Sequence, residues 1–455
     1  VLMSKFSFRP DSIVLAGNNV HYAWIIVAVA AVMRLATSGV RTSSSILLPV
    51  IVESFQWSYG AVGIGFSLQW IVSGLFGPTA GWLGDRYGAR WTMAIGGVLF
   101  LIGMAATGMI GYMGSHLWQF YLFFGVIVSL SMAIFQVPLT VSVTLWFRQH
   151  LGVGMGVLQS SQGIGPLIWG PIMLLILTQF GLSWAFILPG VGGGLILLSL
   201  VFVFYNEPAD IGIRPFGADE NEPISKSEKG QVAKVRTKTF LQRAQRTPAF
   251  WNLIGIHYWG CAGHAIILVY LVAMAQERGV PLALAGGAFI TLSVTSTITR
   301  FGVPIAADSI GSKWVMATCF FLQVTPVFIL FFATEAWMFY VFAVLFGIGF
   351  GGEMSAFPII NRQYYGRAPV GTTYGWQMMG AGLGMATGAV LGGILRDITG
   401  SFTSTMTLSL ILSAIGVLSI ILLPTTHKEQ VPDWEEFLPQ DMKPPEVQTS
   451  PSQGD

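Results

Sequence analysis

Charge is what this sequence has least of. Only 10% of its 455 residues are Asp, Glu, Lys or Arg, against about 25% in soluble globular chains. With 53% hydrophobic residues, an ordinary water-soluble domain is excluded. The net charge of +2 gives nucleic acid no electrostatic footing. There are two cysteines, Cys261 and Cys319. Both lie in apolar runs without metal-ligand spacing, so no disulfide framework or metal centre is expected. No cleavable signal peptide is expected either. The segment before Tyr22 is short and polar, with Lys5 and Arg9, and the apolar run after it is too long for a signal core. Also missing are a nucleophile–base set, a clustered His, Cys and acidic set, and a phosphate-cradling loop with its Lys. Neither an enzyme, nor a cofactor, nor ATP-driven work is expected.

What is present is a series of long apolar runs. About 20 residues at ~1.5 Å rise span the hydrocarbon of a bilayer. Twelve such spans are predicted at 22–50, 58–82, 91–112, 117–144, 151–176, 184–205, 250–274, 284–307, 314–334, 337–360, 371–394 and 402–423. The fold class is therefore an all-α polytopic membrane protein. The chain divides into an N-terminal segment 1–21, a six-helix half 22–205, a polar basic linker 206–249, a second six-helix half 250–424 and a tail 425–455. The tail is Pro-, Ser-, Gln- and Glu-rich and is expected to stay disordered.

The few charges are unevenly placed. Arg214, Lys226, Lys229, Lys234, Arg236, Lys238, Arg243 and Arg246 fill the linker, and Arg86, Arg90, Arg148, Lys313, Arg362 and Arg367 follow spans 2, 4, 8 and 10. The opposite loops hold chiefly Arg278 and Arg396. Lysine and arginine mark the cytoplasmic side. Both termini are expected inside, in a cell (inner) membrane protein that passes many times through the bilayer as a monomer.

The halves repeat. Gly81, Asp85, Arg86, Gly88 and Arg90 follow span 2, and Asp308, Gly311 and Lys313 follow span 8 at a constant offset of 223. Gly156, Gly163 and Gly165 of span 5 match Gly375, Gly382 and Gly384 of span 11. Small residues at this spacing let helices approach closely, and internal symmetry of this kind is typical of carriers built from two similar halves. Asp85 suits the positive end of a helix, while Arg86 and Arg90 are expected to pair with carboxylates on neighbouring helices.

The loop Gly81–Arg90, Gly-x-x-x-Asp-Arg-x-Gly-x-Arg, resembles the signature loop of the major facilitator superfamily, with a degraded copy at 304–313. The resemblance covers about 21–424 and implies two pseudo-symmetric six-helix bundles with a central site open alternately to each side. It also implies that the loop latches the halves together; the plainer reading is a positive-inside anchor. Ser309 replaces the second Arg, so the second latch should be weaker. Within the superfamily the chain resembles bacterial monocarboxylate and oxalate/formate-type carriers. The likeness rests on Leu145–Arg148 with Gly152–Gly165, Glu207–Pro215, Arg300 and Leu391–Gly400. These carriers place an Arg in span 8, matched by Arg300, and a cation in span 1, matched by Arg41 or Arg34. There are two departures. Ser296 stands where the animal monocarboxylate type has an Asp, and span 11 offers Gln377 but no Lys.

Ionisable residues inside apolar runs normally face a cavity or a partner, because a charge at mid-bilayer costs at least ~2.5–3.5 kcal/mol. Here they are Arg34 and Arg41 in span 1, His257 and His264 in span 7, Arg300 in span 8 and Glu353 in span 10. The repeat offset sets Arg34 against His257 and Arg41 against His264, so both pairs are expected to line one cavity. Arg300 and Glu353 each stand eight residues before an inner loop, about 12 Å at ~1.5 Å per residue, and are expected to meet as a pair. Three arginines against one glutamate leave the site positive, and a guanidinium matches a carboxylate bidentately. Arg300, Arg41, Arg34, His264, His257, Gln377 and Tyr258 are the candidate ligands, and Glu353 is the candidate proton carrier. Thr37, Gln69, Gln136, Gln162 and Asn361 either line the cavity or join helices. Trp70, Trp169, Trp259 and Trp376 either shape it or sit at interfaces. The expected activity is secondary active transport of a small organic anion, monocarboxylate-like, with proton symport. Anion exchange, or a neutral solute with the arginines in internal salt bridges, is the alternative.

Overall fold

The structure, a computed structural model, describes residues 12–15, 18–42, 44–219, 221–224, 226, 230–366, 368–426 and 428–442. Among the described residues, twelve helices are long and apolar enough to cross a membrane. Spans 1 to 6 are Tyr22–Gly39, Ala61–Tyr87, Ala89–Gly108, Leu117–Leu145, Leu151–Phe180 and Leu182–Val203. Spans 7 to 12 are Pro248–Glu277, Ala283–Ile310, Ser312–Phe332, Ala336–Tyr365, Gly371–Thr399 and Phe402–Ile421. Side chains such as Trp91, Ile298, Phe332, Ile398 and Leu418 are exposed, as surfaces meant for lipid require.

The spans are interrupted where the chain dictates it. The first helix ends at Thr42 and a second, Ser44–Phe55, follows. Span 9 breaks at Pro326, and span 10 breaks at Ala356, before Pro358. Proline lacks the N–H that would continue the ladder. Span 4 opens with an α-helical turn, Leu117–Phe120, and continues through a π-helical stretch, Tyr121–Ile127.

Departures from an all-helical chain are small. Ser12–Leu15 pairs antiparallel with Asn18–His21. The linker carries a helix, Gly230–Ala244. The tail is not disordered through its described part. Trp434 and Leu438 are buried, the Trp434 ring meets Phe240 of the linker helix edge-on at 5.4 Å, Arg236 pairs with Glu435 and Arg243 lies over Phe437. Gln430 N–H donates to the Tyr364 carbonyl at 2.8 Å. Composition concealed this because three apolar residues, Trp434, Phe437 and Leu438, stand in a polar stretch.

The halves meet along spans 2 and 11 and along spans 5 and 8. A Cβ on Gly81 would stand 2.0 Å from the Gly371 carbonyl oxygen, and one on Gly156 2.5 Å from that of Phe301. Such approach is possible only for glycine. Gly77 faces Gly375, Gly74 faces Gly382 and Gly152 faces Pro304. All lie toward the linker end or middle of their helices. The halves are thus closed on the linker side.

Candidate functional site: two crossed caps and a charged centre

The closure has a chemical lock. Asp85, ending span 2, accepts from Gly371 N–H at 3.0 Å, Thr372 N–H at 2.8 Å and the Thr372 hydroxyl at 2.9 Å. Gly371 and Thr372 open span 11. A helix start leaves N–H groups unpaired and carries a partial positive charge, so a carboxylate satisfies both needs. Asp308, ending span 8, accepts from Gly152 N–H at 2.9 Å at the start of span 5. Gly152 and Gly371 stand 219 residues apart, the offset that relates the matched glycines of spans 5 and 11. Each half therefore caps a helix of the other half. The second cap has one hydrogen bond against three, in line with its degraded motif.

The arginines of the loop act differently from expectation. Arg90 donates through Nε to the Val201 carbonyl at 2.9 Å and through a terminal nitrogen to Phe202 at 3.0 Å. Lys313 donates to the Leu423 carbonyl at 2.6 Å. These cations close the carbonyl ends of spans 6 and 12, where acceptors are unpaired and the dipole is negative. Arg86 makes no carboxylate pair among the described residues. Its guanidinium lies over Trp82 and Tyr87 at 5.1 and 5.0 Å. Gly88 and Gly311 take φ of 84° and 93°, the conformation glycine alone adopts freely, and this turns each span into the next.

The centre holds the intramembrane charges. Arg34 is buried. Its guanidinium donates to the side chain and carbonyl of Gln136, to the Thr140 hydroxyl at 2.6 Å and to Gln162 at 3.3 Å. Every one of these partners is neutral. Arg300, from the other half, is also buried. It has no hydrogen-bond or ion-pair partner among the described residues. Its guanidinium lies over Phe350 at 5.0 Å, and its Nε is unpaired.

The expected Arg300–Glu353 pair does not form. The Glu353 carboxylate is held by His264 Nδ1 at 2.7 Å and by Gln323 Nε2 at 2.5 Å. Depth along the helix was legible, but the rotation of span 10 turns Glu353 toward spans 7 and 9. Gly260 makes the room, since a Cβ there would stand 2.1 Å from Glu353 Oε1. Cys261 brings its thiol into this group, so that Cys261, His264 and Glu353 offer ligand atoms within 4.8 Å of one another. Two helices supply what no sequence spacing announced. A metal there would meet the field of Arg300, which already acts on both Cys261 and Glu353.

The other candidates are sorted by their contacts. His257, expected as a cavity ligand, lies against Phe357. It is fully buried, its ring stacks on Phe357 at 3.8 Å and both ring nitrogens lack partners among the described residues. Gln377 exchanges two hydrogen bonds with Asn361, at 2.8 and 3.0 Å, and so joins spans 10 and 11. Tyr258 is part-exposed, edge-on to Trp259 at 4.9 Å. The side chain of Arg41 lies outside the described residues. Sequence reasoning missed Phe350, Thr140, Gln323 and Gly260. A usable signal existed for Phe350, three residues before Glu353 and hence on the same helix face.

The sequence profile of the Major Facilitator Superfamily matches residues 28–306 and 260–449. The chain belongs to the major facilitator superfamily. Among relatives, the Oxalate:formate antiporter of Oxalobacter formigenes is 24% identical over 393 residues, covering 82% of this chain and 85% of that protein. Monocarboxylate transporter 12-B of Danio rerio is 23% identical over 382 residues, covering 78% and 77%. The solved proton:xylose symporter XylE superposes with a TM-score of 0.69 at 13% identity, over 91% of this chain and 98% of that one, a likeness of fold alone. This major facilitator protein is a multi-pass membrane transporter, not an enzyme, and acts on a small molecule.

Proposed function

We propose that this transporter carries a small organic anion, monocarboxylate-like, across the cell (inner) membrane by alternating access, coupled to a proton. One observation carries the reading: Arg34 and Arg300 are buried, come from opposite halves, and neither has a carboxylate partner among the described residues. Removing one partner of a buried ion pair ordinarily costs about 3–5 kcal/mol. Two uncompensated guanidiniums at the interface of the halves call for an anion that comes and goes. Arg300 is its principal ligand, Arg34 the second, and part-exposed Tyr258 an accessory. The relatives named for oxalate, formate and monocarboxylates support this class of passenger.

The hydrogen-bonded Glu353–His264 pair is the proton store. Protonation of Glu353 or deprotonation of His264 changes the charge beside Arg300, and so changes how strongly Arg300 attracts an anion. The linker and both termini face the cytoplasm in this reading, because lysine and arginine concentrate there. The halves 22–205 and 250–424 then rock about the central site. The described conformation, closed on the linker side, is the outward-facing one, with Asp85 and Asp308 as its cytoplasmic latch.

Uptake of labelled acetate, lactate and oxalate by proteoliposomes, with and without an inward proton gradient, tests the reading. Saturable uptake that the gradient accelerates and Arg300→Lys abolishes is expected. Uptake of none of them, together with no thermal stabilisation by any of them, would sink the organic-anion reading. Exchange without protons is the second reading, favoured by the relative named as an antiporter. It predicts uptake only into vesicles preloaded with a carboxylate, indifferent to the gradient.

A further inference from the structure

One aromatic ring touches both Arg300 and the histidine that holds Glu353. Phe350 carries the Arg300 guanidinium at 5.0 Å from its centre and meets the His264 imidazole edge-on at 4.8 Å. His264 in turn holds Glu353 at 2.7 Å. Arg300, Phe350, His264 and Glu353 thus form a contact series across spans 8, 10 and 7. Arg300 lies within the field of Glu353 but makes no ion pair with it, and Glu353 Oε1 is buried without a hydrogen-bond partner among the described residues.

A buried guanidinium and a buried carboxylate oxygen, each unsatisfied, attract strongly in a medium of low dielectric. An arginine side chain is long and flexible enough to swing. What keeps them apart needs a cause, and the face of the ring supplies one. A cation over an aromatic face gains about 0.5–2 kcal/mol, and the same ring packs against His264, the residue that holds Glu353.

We propose that Phe350 is a positioning residue that prevents Arg300 from closing on Glu353, and so keeps Arg300 free for a carboxylate substrate. The proposal rests on the reading of Arg300 as the substrate ligand. It adds that substrate site and proton store remain separate because of one side chain. Other groups facing Glu353 do not substitute for it: Gln323 and His264 both hold Oε2 and leave Oε1 open, and a thiol such as that of Cys261 supplies no cation.

Binding of acetate, lactate and oxalate to the purified full chain is measured by ligand-induced thermal stabilisation. Phe350→Ala, and Phe350→Leu as a better-packed control, should weaken binding at least ~10-fold, since a closed Arg300–Glu353 pair cancels the site's charge. Phe350→Trp, which keeps an aromatic face, should retain binding. The double variant Phe350→Ala/Glu353→Gln should regain the affinity of Glu353→Gln alone. A ring that only filled space would show no such rescue. Wild-type affinity in both Phe350→Ala and Phe350→Leu, or a double variant as weak as Phe350→Ala, overturns the proposal. Wild-type protein that binds none of the three anions overturns the underlying reading and the proposal with it.

Discussion

Thr372 donates twice to Asp85, once from its backbone at 2.8 Å and once from its hydroxyl at 2.9 Å. With Gly371 it ties the end of span 2 to the start of span 11, across the boundary between the halves. The equivalent contact of Asp308 has a single donor, Gly152. The two locks of the gate are therefore unequal, and the difference is measurable.

Asp85→Ala should destabilise the linker-side closure by about 2 kcal/mol, roughly 30-fold in the open-to-closed ratio, since hydrogen bonds to a charged group contribute ~1.5–3 kcal/mol. Asp308→Ala should act in the same direction but more weakly, because it removes one such hydrogen bond where Asp85→Ala removes three. The check is the alkylation rate of Thr144→Cys, a buried position on the linker side of span 4, in a background lacking Cys261 and Cys319. Equal rates for both aspartate variants would contradict the inequality.

Arg300→Lys should lose anion binding at least ~10-fold despite keeping the charge, because an ammonium cannot reproduce a bidentate fork. Arg34→Lys should also weaken binding. It should further lower the melting temperature, because Gln136, Thr140 and Gln162 all receive hydrogen bonds from this guanidinium. Titrations read beside melting curves separate the two arginines: a ligand loses affinity alone, a ligand that is also a brace loses both.

His264→Ala should cost about 3–5 kcal/mol of stability, since it strips a buried carboxylate of its partner. Glu353→Gln should be milder in thermal unfolding, because an amide oxygen still accepts from Gln323. In proteoliposomes Glu353→Gln should abolish acceleration by a proton gradient while leaving carboxylate counterflow. Unchanged gradient-driven uptake would remove Glu353 from coupling.

Trp434→Ala should cost about 3–5 kcal/mol locally, the usual range for emptying a buried aromatic site. The global melting temperature should move less than the proteolytic sensitivity of 206–249, because the lost contacts join tail and linker helix. Limited trypsin digestion checks it, and cleavage at the wild-type rate would refute it.

On the linker surface, Lys226 pairs with Asp210 at 2.9 Å, and this partner raises its pKa above the ordinary 10.5. A raised folded-state value adds stability below the unfolded pKa and loses it as pH rises through the folded one. Between pH 5 and 9 this pair should therefore be silent, so any pH dependence of stability there must come from other groups, as melting of Lys226→Met beside wild type over that range will show.

Much of the architecture is legible in the chain because a bilayer imposes so blunt a rule. Twelve apolar runs can only be helices, and the repeat offset of 223 alone matches Asp85 to Asp308 and Arg90 to Lys313. The partners are not legible. Arg90 seeks the carbonyls of span 6, since a helix end is an acceptor as good as a carboxylate and sequence shows only the latter. Glu353 has the expected depth and an unexpected neighbour, because azimuth depends on how Gly260 and Gly352 let three helices nest. His257 and His264 share a pattern with Arg34 and Arg41, yet one stacks on Phe357 and the other holds Glu353. Symmetry of sequence fixes position, not employment.

The contact between Trp434 and Phe240 has a consequence for synthesis. Arg236 and Glu435, which brace it, are 199 residues apart. At ~5–20 residues per second, translation leaves the linker helix without its cover for roughly 10–40 s. All twelve spans are made in or before that interval. The linker helix therefore completes its burial only after the last span has left the ribosome, and a chain that stops short of Trp434 leaves Phe240 with Tyr365 as its ring partner and without the tail's cover.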